Sequence, residues 1–583
     1  MSFTLKGQAV APGVAIGRVH LAESNELEIG EYRIGKDDVE NEIRRYHNAL
    51  EAAREQLLEL ADKIDPAVAA PAVEMIQTHV LMLEDSKIRK STENHIRKEL
   101  CNAEWALQSQ LEHVLAEFRG IEDAYIRARG EDVTQVVRLV QSKLGDEAAS
   151  IPFENIPDRL ADTLVVADEL TPGELAILHQ RGVAGIITEH GGPHSHTAIL
   201  ASSLGIPAVL GVHGARNLLK EDSILILDGG LGTIFADPDK ATLAHYRDVK
   251  KEAEQHRRSL VSLRKRRAVS IDGIEVSLQA NAERTVELQQ SIDVGADGIG
   301  LYRTEFLYLR GAPPDEEEQF EEYCSALELL DGAVLTIRTL DLGADKSIDA
   351  LDFSQPRRSA NPALGLRAVR LCLRDTAMFK TQLRAILRTS AAGKVRCLIP
   401  MITSVEEIRS VRALLEEAKI ELDKRGQPYD HDMPLGGMIE VPAAALAIDD
   451  LGQELDFISV GTNDLLQYAL AADRGDEHVA HLYDLLHPGV VRLLQYVLKE
   501  AERLELPATV CGEAAGDPRY TRMWLALGLC NFSMHPARLL EVKQVVRETD
   551  ISAARKVMKR WLKNPGAPCE TSLLQQLDQS QLT

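Results

Sequence analysis

Positive charge, paired cysteines and long apolar runs are all scarce in this chain. Lysine and arginine number 66 against 90 aspartates and glutamates, a formal net charge of −24 over 583 residues. Such a surface repels phosphate backbones and anionic lipid, so neither nucleic-acid binding nor stable membrane insertion is expected. No stretch approaches the roughly 18 uninterrupted apolar residues of a membrane-spanning helix. The opening MSFTLKGQAVAPGVAIG has one lysine and no apolar run long enough for a secretion signal. A cytoplasmic protein is expected. The seven cysteines, at 101, 324, 372, 397, 511, 530 and 569, are odd in number and form no CxxC pair. That fits reduced thiols and argues against a disulfide framework or a structural zinc site.

What is present suffices for several cores. The chain is 45% hydrophobic and 27% charged, a composition unlike collagen, a coiled-coil rod or a disordered chain. Residues 1–20 read as short β segments with glycine turns. Glycine is then nearly absent from 37 to 119. Apolar residues at Ile43, Tyr46, Leu50, Ala53, Leu57, Leu60 and Ile64 alternate spacings of three and four, one stripe of a long helix that Asp65-Pro66 ends. Further helical stretches are expected at about 71–86, 87–119 and 122–145. From about 158 strand-like runs return, at Leu164–Ala167, Gly185–Thr188, Ala208–Leu210 and Ile224–Leu227. The expected organisation is an α/β domain of 1–23 and 147–236, interrupted by a helical insert of 24–146. Asp237-Pro238 reads as the cap and first turn of a charged connecting helix over 237–267.

From 274 onward strand and helix patterns alternate. Candidate strands are Glu275–Gln279, Gly298–Leu301, Val334–Arg338, Val395–Ile399, Leu435–Ile439, Phe457–Val460, Ala508–Cys511 and Asn531–Ser533. Repeated units of this kind over 268–583 predict a (β/α)8 barrel, whose chemistry belongs at the C-terminal ends of its strands. The polar residues there are Asn281, Arg303, Arg338, Glu440, Asn463 with Asp464, Cys511 with Glu513, and His535, with Thr403 and Arg367 nearby. Arg303, Arg338 and Arg474 offer planar forks for phosphate or carboxylate oxygens. Glu440 and Asp464 are hard oxygen ligands suited to Mg²⁺, which takes one or two carboxylates and completes its shell from substrate and water. Cys511 is either a buried core cysteine or, being mostly protonated near neutral pH, a proton donor to a carbanion-like centre. The pattern suggests handling of a small phosphorylated acid.

A second site lies upstream, in Glu189-His190-Gly191-Gly192-Pro193-His194-Ser195-His196-Thr197-Ala198-Ile199-Leu200. A glycine loop enters a helix with His196 at its start, where backbone N–H groups and the helix dipole favour a phosphoryl group. A neutral imidazole is a competent nucleophile towards phosphorus. The alternative is a His-x-His metal site, with His190 nearby.

These residues carry a resemblance. Gly191-Gly192 through Ser195-His196-Thr197-Ala198-Ile199, with Gly205-Ile206-Pro207-Ala208, resembles a phosphohistidine signature. Asp456 through Tyr468 (DFISVGTNDLLQY), with Asp473-Arg474, resembles a second signature of the same family, as do Gly295 through Leu307 (GADGIGLYRTEFL) and Cys511-Gly512-Glu513. Over essentially its whole length the chain resembles the Enzyme I family, the phosphoenolpyruvate (PEP)-protein phosphotransferases of the bacterial sugar phosphotransferase system. The resemblance implies that His196 accepts phosphoryl from PEP on Nε2. It implies that Arg303, Arg338, Arg474, Asn463 and backbone near Asp464 bind PEP, with Arg367 at the same pocket. It implies further that Glu440 and Asp464 hold Mg²⁺, that Cys511 protonates the enolate to give pyruvate, that the insert docks the phosphocarrier HPr, and that the barrel forms a homodimer.

The sequence departs from the family pattern in places. Pro193 and His194 stand where Arg-Thr is common, Ser202 replaces an arginine, and Ser533-Met534-His535-Pro536 replaces Ser-Met-Ser-Ala. The rival readings are a regulatory nitrogen-type Enzyme I, a pyruvate phosphate dikinase or PEP synthase, and a non-catalytic scaffold. The dikinases need an ATP-binding region for which no room is expected here, and the nitrogen-type paralogue usually carries an extra N-terminal sensory domain.

Overall fold

The computed structural model describes residues 2–22, 30–63, 75–83, 86–119, 124–145, 160–192, 195–308, 313–342, 361–473, 479–563 and 570–581. The chain forms two compact units, Met1–Gln255 and His256–Thr583.

The first unit is built on an eight-stranded mixed sheet. Its strands are β1 (Phe3–Lys6), β2 (Gln8–Ala11), β3 (Val14–Leu21), β4 (Thr163–Ala167), β5 (Gly185–Thr188), β6 (Ala208–Leu210), β7 (Ile224–Asp228) and β8 (Thr233–Ala236), in the order β1-β8-β7-β3-β4-β5-β6-β2. The centre, β3-β4-β5-β6, is parallel, and the remaining pairings are antiparallel. Alternation along β4 feeds two cores. Leu164 and Val166 pack on one face with Val19, Ile187 and Leu227, while Val165 and Ala167 face the other with Ile186, Leu175 and Ala176.

The second core continues into the helical insert. Helix Val39–Lys63 buries Ile43, Tyr46, Leu50, Ala53 and Leu57 of the stripe read from sequence, with Tyr46 and Ala53 fully enclosed and Leu60 partly buried against the same core; Ile64 lies outside the described residues. Arg45 ties this helix to two others. It pairs with Glu42 and Glu104, each at 2.6 Å, and donates to the Leu144 carbonyl at 2.9 Å. The insert meets the α/β layer at Gly173, where a Cβ would fall 2.1 Å from Leu60. The helical stretch expected over 87–119 is broken. Helices Ser86–Glu99 and Ala103–Arg119 are separated at Leu100, which has φ +54°, and Cys101 bridges to Arg33. Glu42 accepts from the Ala103 N–H at 2.7 Å and so satisfies the start of the new helix. The boundaries 23/24 and 146/147 lie outside the described residues.

The connecting helix runs Lys240–Val261, shorter than expected. Its cap is Asp239, whose carboxylate accepts from Thr242 N–H at 2.7 Å, whereas Asp237 adopts φ +45°.

The second unit is a closed barrel of eight parallel strands. They are β9 (Ser277–Ala282), β10 (Gly298–Tyr302), β11 (Val334–Arg338), β12 (Val395–Ile399), β13 (Leu435–Ile439), β14 (Phe457–Val460), β15 (Ala508–Val510) and β16 (Asn531–Met534), with β16 closing on β9. Leu301, Leu398, Met438, Phe457 and Cys511 form an interior plug. Glycine makes room for it, since a Cβ on Gly436 would stand 2.3 Å from the Phe457 ring. This is the (β/α)8 architecture expected from the alternating pattern. Among the described residues no helix is long and apolar enough to cross a membrane.

Candidate active site

Polar residues at several strand ends meet at the same mouth, because parallel closure brings all the C-terminal ends to one side. Arg338 ends β11 and is nearly buried, its side chain 11% exposed. Its guanidinium meets Glu305 and Asp341, each at 3.1 Å. Arg367 contacts both oxygens of Asp341 at 2.9 and 3.1 Å, Asp464 at 3.3 Å and the Tyr468 hydroxyl at 3.3 Å. Burial lowers the pKa of both arginines, but the facing carboxylates outweigh it and hold both firmly charged.

Glu440 follows β13 and is 2% exposed. One oxygen accepts the Met401 N–H at 2.6 Å. Burial, then the charges of Asp341 and Asp464, push its carboxyl up to about 8 against the opposing pull of Arg338. A cluster of hard oxygens that resist further negative charge is suited to a divalent cation. Among the described residues, no group of three or more His, Cys, Asp and Glu side chains is arranged to hold a metal ion. Glu440 and Asp464 are two carboxylates of the kind Mg²⁺ takes, with the rest of its shell drawn from other oxygens.

Cys511 follows β15 on top of the interior plug. Its thiol donates to the Val460 carbonyl at 3.6 Å, and burial pushes it up to about 11. Asn281, at the end of β9, donates to the Cys511 carbonyl at 3.0 Å and accepts from Ser533 at 2.6 Å. Asn463 donates to Glu513 at 3.1 Å and accepts the Glu513 N–H at 2.9 Å, fixing the other side of the Cys511-Gly512 turn. A cavity of about 720 Å³ opens beside Cys511. Arg303, paired with Glu283 at 2.5 Å, lines it together with Asn281, Glu513 and His535.

The barrel thus gathers Arg338, Arg367, Glu440 and Asp464 into one charged network, and places Arg303 and Cys511 on one cavity wall. Arg474 lies outside the described residues. Sequence reasoning missed Asp341 and Glu305, which hold the arginines. Their signal was position alone: Asp341 comes three residues after Arg338, and Glu305 two after Arg303.

In the first unit His196 opens helix His196–Ser203, and its side chain lies outside the described set, as do Pro193 and His194. Ser195 caps the helix by accepting from Ala198 N–H at 3.3 Å, and Thr197 donates to the Leu170 carbonyl at 2.8 Å. Gly191, at φ +104°, supplies the left-handed turn before it.

Three family models match: PEP-utilising enzyme, N-terminal, over 6–129; PEP-utilising enzyme, mobile domain, over 160–232; and PEP-utilising enzyme, PEP-binding domain, over 257–551. The class is that of the PEP-utilising enzymes. A phosphoenolpyruvate-protein phosphotransferase of Cupriavidus necator is 41% identical over 94% of this chain and 94% of its own length. One from Listeria innocua is 36% identical over 96% of this chain and 97% of its own. A solution structure of Enzyme I matches at 29% identity over 43% of this chain and 99% of that one, with a TM-score of 0.37. The chain belongs to the phosphoenolpyruvate-protein phosphotransferase family and is a transferase.

Proposed function

We propose that this chain takes the phosphoryl group of PEP onto His196, releases pyruvate, and passes the group to a histidine of HPr. The observation that carries the reading is the convergence of Arg338, Arg367, Glu440 and Asp464 at the barrel mouth beside the protonated thiol of Cys511. Arg303, Arg338 and Arg474 bind the phosphate and carboxylate of PEP, with Arg367, Asn463 and the Asp464 backbone shaping the pocket. Glu440 and Asp464 hold Mg²⁺, which when bound neutralises charge on substrate oxygens. His196 Nε2 forms a bond to phosphorus as the bond from phosphorus to the enol oxygen breaks. The electron pair leaves with the enolate, Cys511 gives its proton to the methylene carbon, and the thiolate regains one from solvent. Arginines and positioning do most of the work, since phosphoryl transfer asks for little covalent help.

The domain assignments follow the same reading. Residues 1–23 and 147–236 carry the phosphohistidine, 24–146 dock HPr, 237–267 connect, and 268–583 bind PEP and pair with a second copy. The family resemblance supports the homodimer and the cytoplasmic location.

The test mixes the protein with PEP and Mg²⁺ in the absence of ATP. Acid-labile phosphate on the protein should appear together with pyruvate, and HPr should discharge it. A requirement for ATP would point to dikinase chemistry, and no phosphoprotein at all to a scaffold.

Gly512 tests the geometry. A Cβ there would lie 1.8 Å from Thr462 Oγ1 and 2.9 Å from Asn463 Oδ1. Gly512→Ala is expected to cost about 1–3 kcal/mol in overpacking. It should also lower kcat/KM for PEP by roughly 10–100-fold by displacing Cys511, as read by thermal melting and by pyruvate release.

A further inference from the structure

Gln382 sits on helix Thr376–Ser390, in the outer layer of the barrel and in none of the sequence motifs. It is 1% exposed, and its amide reaches inward to the ends of two adjacent strands. Oε1 accepts the Leu340 N–H at 3.0 Å, while Nε2 donates to Thr304 Oγ1 at 3.1 Å and to the Tyr323 hydroxyl at 3.4 Å. The directions are forced. A backbone N–H can only donate, so Oε1 faces Leu340 and Nε2 faces the two hydroxyls. The Thr304 proton then goes to the Arg338 carbonyl at 3.0 Å, and the Tyr323 proton to Gln319 Oε1 at 3.2 Å.

The residues so joined flank two of the phosphate-binding arginines. Thr304 follows Arg303, and Leu340 lies two residues past Arg338. The β10–β11 ladder shifts register between Ile299 and Tyr302 and its last pair is Tyr302↔Ile337, one residue short of the two arginines. Beyond that pair side chains carry the connection. On the mouth side Glu305 pairs with Arg338 and accepts the Asp341 N–H at 2.9 Å. Beneath the mouth, the amide of Gln382 bonds both strand ends.

We propose that Gln382 is a positioning residue for PEP recognition, setting the separation of the Arg303 and Arg338 guanidiniums through Thr304 and Leu340. The proposal rests on the reading of the barrel mouth as the PEP site. Without the amide, the buried Leu340 N–H and Thr304 hydroxyl must find other partners. The strand ends shift to supply them, and a displacement near 1 Å costs about 100-fold when two groups must grip one substrate.

The experiment uses Gln382→Leu, and Thr304→Val with Thr304→Ser as its conservative counterpart. PEP-dependent phosphorylation of the full chain is followed well below each melting temperature. Gln382→Leu and Thr304→Val should each lower kcat/KM for PEP by about 30–100-fold, and Thr304→Ser should stay within about threefold of wild type. In an Arg303→Lys background Gln382→Leu should cost less than about threefold, because the fork is already displaced. Thr304→Val leaves Gln382 in place and carries the test if Gln382→Leu fails to fold. Unchanged kcat/KM in a folded variant, or full additivity with Arg303→Lys, would overturn the proposal and leave Gln382 a support of the fold. Failure of the wild-type chain to be charged by PEP would instead remove the reading beneath it, so the two failures are distinct.

Discussion

His196→Ala is expected to abolish charging by PEP, taking incorporated phosphate from about one per chain to background. The expectation comes from what surrounds this position. Ser195 caps the helix and Thr197 is anchored to the Leu170 carbonyl, so His196 occupies the first turn, where the helix dipole favours an anionic phosphoryl group. Alanine is the best helix former and leaves the cap intact, so the variant should keep its fold and its melting temperature. The barrel residues are untouched, and exchange of pyruvate methyl protons with solvent, which needs only the barrel, should persist in His196→Ala. Phosphopeptide mass spectrometry of both proteins checks the assignment. Phosphate retained in the variant on His194 would move the nucleophile by two residues. Phosphate retained elsewhere would remove the histidine relay altogether.

The barrel was legible because parallel strands buried on both faces read as short apolar runs. Val334–Arg338, Val395–Ile399, Leu435–Ile439 and Phe457–Val460 appear with the bounds read from sequence. The first strand is displaced, at Ser277–Ala282 rather than Glu275–Gln279. Glu275 instead bridges to Val269, a pairing made by tertiary closure and invisible to local pattern. The break at Leu100 was illegible for a similar reason. No glycine or proline marks it, and its left-handed backbone is held by the bridge of Cys101 to Arg33, far away in sequence. In the site, the residue types that would grip a phosphorylated acid stood out, but the groups that orient them did not. Asp341 is an ordinary acid in sequence and becomes the joint between Arg338 and Arg367 only when β11 and the loop bearing Arg367 are brought together. Gln382 is more hidden still, a polar residue within the apolar pattern of an outer helix.

Cys511→Ala should lower PEP-dependent pyruvate release by roughly 100–10,000-fold, the usual worth of a placed general acid. The thiol is 3% exposed, sits on Leu301, Leu398, Met438 and Phe457, and burial pushes it up to about 11. The proton-donating form is the neutral thiol, present below its pKa and lost only as pH rises through about 11. An ordinary thiol would be half deprotonated at about pH 8.5. Wild-type pyruvate release should therefore show no alkaline decline attributable to a thiol between about pH 7.5 and 9.5, in rate profiles taken at saturating PEP. Alanine has no proton to give or take, and Cys511→Ala should also lose the exchange of pyruvate methyl protons in D₂O. His196→Ala keeps that exchange, so the two variants separate the phosphoryl step from the proton step. Undiminished exchange in Cys511→Ala would show that the proton comes from elsewhere, and would make this cysteine a packing residue of the barrel plug.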